Sequence, residues 1–230
     1  MNKRLKPLSR IIAVICSIGL IAVLFVPLWQ IELAAPQYPE GLVLKIYPNA
    51  LSGDVDVING LNHYIGMRTL HTKDFIEFTI LPYIIGALAA FGFLSALINR
   101  KWFFISWVVF FIVFGIVAMA DFYRWEYNYG HNLDESAAIK VPGMSYQPPL
   151  IGYKKLLNFG AYSIPDTGGW IFVAVGLLLV FAMIMELRKT VKITRTFEIK
   201  TASLALLMIL SFSSCQSGPA PIQYGTDGCD

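Results

Sequence analysis

The sequence predicts an all-α membrane protein: four transmembrane helices, two long extracytoplasmic loops, and a C-terminal helix that looks like a lipoprotein signal. Three observations predict this class. Hydrophobic residues fill 56% of the 230 positions and mean hydropathy is +0.60, whereas soluble domains are about 45–50% apolar. Charged residues, 14% of the chain, cluster between the apolar runs and avoid their interiors. Those runs, near residues 11–29, 76–98, 102–120 and 170–187, approach the roughly 20 residues needed to span a bilayer.

The first run follows Lys3, Arg4, Lys6 and Arg10, contains Cys16 and ends near Trp29. No small-residue cleavage site follows it, so it reads as a span with an interfacial tryptophan and not as a signal peptide. Beyond it, Leu42, Leu44 and Ile46 alternate with Val43, Lys45 and Tyr47, a strand pattern. Pro48, Asn49, Ser52, Gly53 and Asp54 supply turn chemistry before Val55, Asp56, Val57 and Ile58. A small β-hairpin is therefore expected in the first outer loop, residues 30–75. This loop is too aromatic and apolar to be disordered, so it reads as an ordered extramembrane subdomain.

The second run carries Pro82, which spanning helices tolerate, and ends in the basic turn at Arg100 and Lys101. The third leaves through an aromatic belt in which Asp121, Arg124 and Glu126 are expected to form a polar cluster at the membrane surface. The second outer loop, residues 121–169, holds His131, the rigid pair Pro148 and Pro149, and a segment at 152–160 expected to be a short interfacial helix. The fourth run precedes Arg188, Lys189, Lys192, Arg195 and Lys200.

Charge orients the chain. The N-terminus, the 99–101 turn and residues 186–200 carry eleven Lys and Arg against two acids. The two long loops carry seven Lys and Arg against eleven acids when Glu77 at the loop margin is counted. Positive residues stay inside, which places the N-terminus in the cytoplasm and the loops outside.

After Lys200, residues 201–215 run from a basic start through a short apolar core to Ser213, Ser214 and Cys215. This order matches a lipoprotein signal whose lipidation site is Cys215, delivered outside after four spans. A fifth helix with an incidental cysteine is the alternative. The expected organisation is a membrane module at 1–200, a signal-like segment at 201–215 and a short tail at 216–230.

The net charge of +3 comes with no basic stripe interleaved with aromatics, so nucleic acid is not an expected partner. Three scattered cysteines make no disulfide framework. No nucleophile motif, phosphate loop or carboxylate pair points to an enzyme. The spans lack histidine, which weighs against axial ligation of a b-type haem, and their few ionisable groups give ion-coupled transport little to use. One stretch does carry metal chemistry. His63, Met67 and His71 are four residues apart, and on a helix they would share a face. Imidazole with thioether suits copper, above all Cu(I). The same residues also suit a folded loop in which the histidines only hydrogen-bond and Met67 packs.

Two resemblances bear on that stretch. The residues after Cys215, running Gly218-Pro219-Ala220-Pro221-Ile222-Gln223-Tyr224-Gly225-Thr226-Asp227-Gly228-Cys229-Asp230, resemble the start of mature NosL, the copper-binding accessory lipoprotein family of nitrous oxide reductase assembly. Cys229 falls on the first cysteine of that family's Cys-x-x-Cys-x-Met type motif. The likeness covers residues 201–230 and leaves out the family's globular copper-binding domain, so that activity does not transfer. Residues 11–187 resemble a polytopic membrane protein family of clade II, Bacteroidetes-type nitrous oxide reductase gene clusters. This second likeness rests on Ala35-Pro36-Gln37-Tyr38-Pro39-Glu40-Gly41-Leu42, on Leu61-Asn62-His63-Tyr64-Ile65-Gly66-Met67, and on Pro148-Pro149-Leu150-Ile151-Gly152 with Leu157-Asn158-Phe159.

Together they imply an inner-membrane accessory protein for maturation of nitrous oxide reductase. Its outer loops would handle copper or dock the enzyme or its copper-delivery partners. His63 and Met67 would be the first copper ligands, His71 and His131 supporting ones, and Cys229 a further ligand in the tail. A membrane scaffold, or an electron-transfer subunit contacting quinol, is the alternative role.

Overall fold

The computed structural model describes residues 4–139, 143, 145–156 and 159–188. Helix α1 (Pro7–Val23) is followed by strands β1 (Trp29–Ala35), β2 (Tyr38–Ile46) and β3 (Leu51–Gly53) and helix α2 (Val55–Ile65). Helices α3 (Glu77–Ile98) and α4 (Lys101–His131), the hairpin β4 (Gly152–Leu156) and β5 (Phe159–Pro165), and helix α5 (Thr167–Leu187) complete the fold.

Among the described residues, α3, α4 and α5 are long and apolar enough to cross a membrane, and α1, at 17 residues, is shorter. The expectation of four spanning helices is thus met by three on length and composition. The shortfall has a local cause. Helix α1 starts earlier than the apolar run, with Pro7 in the first turn where its missing N–H costs nothing. It then tightens at its end into bonds from Leu24, Phe25 and Val26 to residues three back before Pro27 stops it. Trp29 opens a strand instead of closing a helix.

The fold is also not all-α. Antiparallel strands form one five-stranded sheet in the order β3-β2-β1-β5-β4, joining the two long loops into a single unit. The alternation at residues 42–47 is indeed a strand, but its partners are β1 and the short β3. The second expected hairpin strand is the first turn of α2. Asp54 decides this by accepting from Val43 N–H through Oδ2 at 2.8 Å while its carbonyl accepts from Ile58 N–H at 3.0 Å, ending the ladder and starting the helix. The expected interfacial helix at 152–160 is the β4–β5 hairpin, whose β5 pairs with β1 from Trp29↔Pro165 to Ala34↔Gly160.

The helices share a core in which Leu20, Ile85, Phe104, Trp107 and Leu179 are fully buried. Outward, Ile11, Ile15, Phe110, Ile116 and Leu177 are exposed, an apolar girdle that fits lipid contact. α1 and α4 begin, and α3 and α5 end, at one pole. There Leu5 N–H donates to the Asn99 carbonyl at 3.4 Å and Arg10 Nε to the Ala96 carbonyl at 3.0 Å. Glu186 ties three helices together at this pole. Its Oε1 accepts from Ser9 Oγ at 2.6 Å and Lys6 N–H at 2.8 Å, and its Oε2 lies 2.9 Å from Lys101 Nζ. The sheet sits at the other pole. Asp166 N–H donates to the Leu28 carbonyl at 3.1 Å and Gly168 N–H to the Pro27 carbonyl at 2.7 Å, stitching the start of α5 to the start of β1.

Candidate functional site

Helix α4 has 31 residues and is therefore about 46 Å long at 1.5 Å per residue, well beyond the ~30 Å of a bilayer's hydrocarbon. Its last turns extend past the apolar run and pack beneath the sheet. Ile31, Leu42, Leu44, Ile58 and Leu70 form a second core there, joined by Trp125 and Tyr129 of α4. Aromatic rings continue from the bundle into this core: Trp29 meets Phe122 edge-on at 5.3 Å, and Trp125 stacks on Tyr129 at 5.0 Å.

The packing leaves a partly open cavity of about 440 Å³. The sheet lines it with Ile31, Leu33, Ala35, Leu44 and Phe159, α2 with Ile58, Leu61 and Asn62, and α4 with Trp125 and Tyr129. Met67, Ile139 and Tyr146 close it from the loops. The period-2 pattern of β1 builds the upper wall, since Ile31, Leu33 and Ala35 fall on one face.

A polar frame holds the lower wall. Asn62, buried on α2, donates through Nδ2 to Tyr129 Oη at 3.1 Å, and Tyr129 donates to the Arg68 carbonyl. Asn59, one turn earlier, brackets Leu70 by accepting from its N–H at 2.6 Å and donating to its carbonyl at 3.0 Å. Gly66 ends α2 with φ 78°, a conformation open to glycine. Its carbonyl accepts from Asp134 N–H at 2.8 Å, and the Tyr64 carbonyl accepts from Ile139 N–H at 2.9 Å. The stretch 59–71 is thus a tied helix end and loop.

Three buried polar groups in this region have no hydrogen-bond partner among the described residues: Trp125 Nε1, Tyr146 Oη and both carboxylate oxygens of Glu126. Glu126 does not join the expected surface cluster. It is fully buried, while Arg124 and Asp121 pair with each other at 3.5 Å on the exposed side.

The candidate copper ligands among the described residues have different surroundings. Because α2 stops at Ile65, the helical spacing that would align His63, Met67 and His71 is broken at Gly66. His63 is exposed on α2 and meets the Tyr64 ring edge-on at 6.1 Å. Met67 turns into the cavity wall. His71 is exposed, with Nδ1 3.4 Å from Asp74 Oδ2. His131 ends α4, stacked on Tyr127 at 4.0 Å with Nδ1 2.9 Å from the Tyr127 carbonyl. Among the described residues, no group of three or more His, Cys, Asp or Glu side chains is arranged to hold a metal ion. Cys16 is buried between α1 and α5, its Sγ 3.9 Å from the Val175 carbonyl. The signal-like segment 201–215, with Cys215, and the tail with Cys229 lie outside the described residues.

The residues that build the site are Asn59, Asn62, Trp125, Tyr129 and Tyr146, and none of them stood out in the sequence. One signal was present: two asparagines three apart on a helix share a face, an unusual choice for the side turned toward a core. No protein-family profile, curated protein or solved structure matches the chain.

Proposed function

We propose that this chain is an inner-membrane accessory protein whose extracytoplasmic sheet domain is a docking module for maturation of nitrous oxide reductase. The observation that carries the reading is architectural. An ordered five-stranded unit with its own apolar core is built on one pole of a lipid-suited helix bundle and joined to it by a helix too long for the bilayer alone.

In this reading α1, packed along α3 and α5, inserts with them as the fourth span. Arg4, Lys6, Arg10, Arg100, Lys101 and Arg188 mark the cytoplasmic pole. The two resemblances support the process, and the sheet would be its surface outside the membrane. The copper-handling form of the proposal rests on His63 and Met67, which flank the end of α2.

Deletion of the gene in a nitrous-oxide-respiring bacterium that carries it tests the role. The expected result is a nitrous oxide reductase that accumulates with less copper and lower activity, restored by the intact gene. Normal copper content and activity in the deletion strain overturn the proposal. Competition of the purified chain with a Cu(I) chelator separates handling from docking. Weaker competition by His63→Ala and Met67→Leu supports handling, and identical behaviour of wild type and both variants removes copper from the role.

A further inference from the structure

Arg4 and Arg100 are far apart in the chain, and the fold sets them side by side as the two partners of an isolated antiparallel bridge. The bond next to them runs from Leu5 N–H to the Asn99 carbonyl at 3.4 Å, which makes Arg4 and Arg100 a pair that does not itself exchange backbone bonds. In such a pair the two side chains leave the same face at the closer of the two spacings. Like charges directly opposite one another repel, and an anion placed between them turns the repulsion into attraction.

These residues line an open groove of about 490 Å³ together with Ile98 and Asn99, and both arginines are exposed. Its frame is fixed. Asn99 ends α3 in the left-handed conformation at φ 57°, with its N–H donating to the Ser95 carbonyl at 3.1 Å and its Oδ1 accepting from Leu5 N–H at 3.2 Å. With Oδ1 taken, the amide offers the hydrogens of Nδ2, so each polar side chain lining the groove is a donor. Neighbouring bases are engaged elsewhere: Lys6 Nζ donates to the Met185 carbonyl at 2.6 Å, Arg10 Nε to the Ala96 carbonyl, and Lys101 pairs with Glu186. Glu186, the acid of this pole among the described residues, is buried on those inward partners and does not line the groove.

The groove also has an apolar side. Ile98 forms part of its wall, and Leu94 and Leu97, four residues and one residue earlier, continue the same side of α3 away from the pole. All three are exposed, as is Trp102 at the start of α4, a residue type that favours the headgroup level of a bilayer. Donors thus stand where an exposed hydrocarbon track ends. A ligand that fits both parts has an anionic oxygen head and apolar chains, and the guanidinium fork matches the geometry of phosphate.

We propose that Arg4, Asn99 and Arg100 hold the phosphodiester of an anionic glycerophospholipid whose acyl chains lie along Leu94, Leu97 and Ile98. Basic pockets at the ends of spanning helices bind such headgroups. The inference rests on the bundle crossing a membrane, and it is independent of copper and of the maturation role.

The full chain, purified in detergent, is titrated with dioleoylphosphatidylglycerol and separately with dioleoylphosphatidylcholine, and native mass spectrometry counts the lipid retained. The two probes share their chains and their phosphodiester, and the first alone carries a net negative charge. Saturable retention of phosphatidylglycerol, about tenfold tighter than phosphatidylcholine, is expected. Arg4→Gln and Arg100→Gln should each weaken phosphatidylglycerol binding about fivefold and leave phosphatidylcholine unchanged. Arg124→Gln, which removes the same charge from an exposed site at the opposite pole, should change neither. Equal affinity of the wild type for both lipids overturns the proposal, as does an unchanged preference in both groove variants. Displacement of the lipid by excess glycerol 3-phosphate also overturns it, assigning the groove to free phosphates. Release of the chain from carbonate-washed membranes overturns the membrane reading and the site with it, whereas absent lipid preference in a chain that carbonate leaves in place overturns the site alone. A normal deletion strain leaves the lipid result standing.

Discussion

Replacing Glu186 should uncouple three helices at the pole away from the sheet. Its side chain is wholly buried, and Lys101, its ionic partner, is 28% exposed. Glu186→Ala removes the acceptor for Ser9 Oγ, for Lys6 N–H and for the Lys101 ammonium in one step. Breaking a buried pair on one side costs up to about 3–5 kcal/mol, and here Ser9 Oγ and Lys6 N–H lose their acceptor while Lys101 keeps partial access to water. For a chain of this size that corresponds to a fall in Tm of roughly 6–20 °C. Glu186→Gln keeps an oxygen for Ser9 and Lys6 but sets an uncharged amide against Lys101, so its cost should be smaller, about 2 kcal/mol. Thermal unfolding of the detergent-purified chain, followed by intrinsic fluorescence, measures both. In a double-mutant cycle, Lys101→Met should lose much of its own effect once Glu186 is gone. A Glu186→Ala protein that melts within 2 °C of wild type, on the order of 1 kcal/mol or less by the same conversion, would refute the clamp.

Four further outcomes are expected. Gly92→Ala places a Cβ 2.2 Å from Ser17 Oγ and 2.4 Å from Trp107 Cζ2, where α1, α3 and α4 meet, and should cost about 1–3 kcal/mol. Gly115→Ala, with nothing within 4 Å, serves as the silent control in the same melting assay. Gly66→Ala puts a side chain at φ 78° and a Cβ 2.9 Å from the Asp134 carbonyl oxygen, so about 1–2 kcal/mol should be lost. The Asp134 and Ile139 amides should then exchange hydrogen faster. A cysteine at exposed Ser52 should react with an impermeant maleimide from the extracytoplasmic side, and labelling from the cytoplasm alone would reverse the orientation. Cleavage before Cys215 should yield a lipidated tail that Cys215→Ser abolishes, and mass spectrometry finding only the intact, unmodified chain would favour a fifth helix.

What the sequence by itself determined is the membrane framework. Long apolar runs become helices because a helix satisfies its own backbone where no water can, and this requirement is local. Hence the helices at 77–98 and 167–187 follow the hydropathy within a few residues, and the strand at 42–46 follows its alternation. The asparagines and aromatics of the site were in view as well, but without a face to assign them to.

The tertiary structure decided everything that depends on partners far away in sequence. Val55, Val57 and Ile58 suit a strand or a helix, and the Asp54 carboxylate on the Val43 amide selects the helix. Residues 152–165 become strands because β1 offers an open edge to β5, with Leu33 opposite Ala161, and strand pairing carries no local periodicity that reveals its partner. The cavity is assembled from the sheet, α2, the overhang of α4 and two loops. Its apolar lining is a matter of burial, and burial is a property of packing that no single segment of the chain possesses.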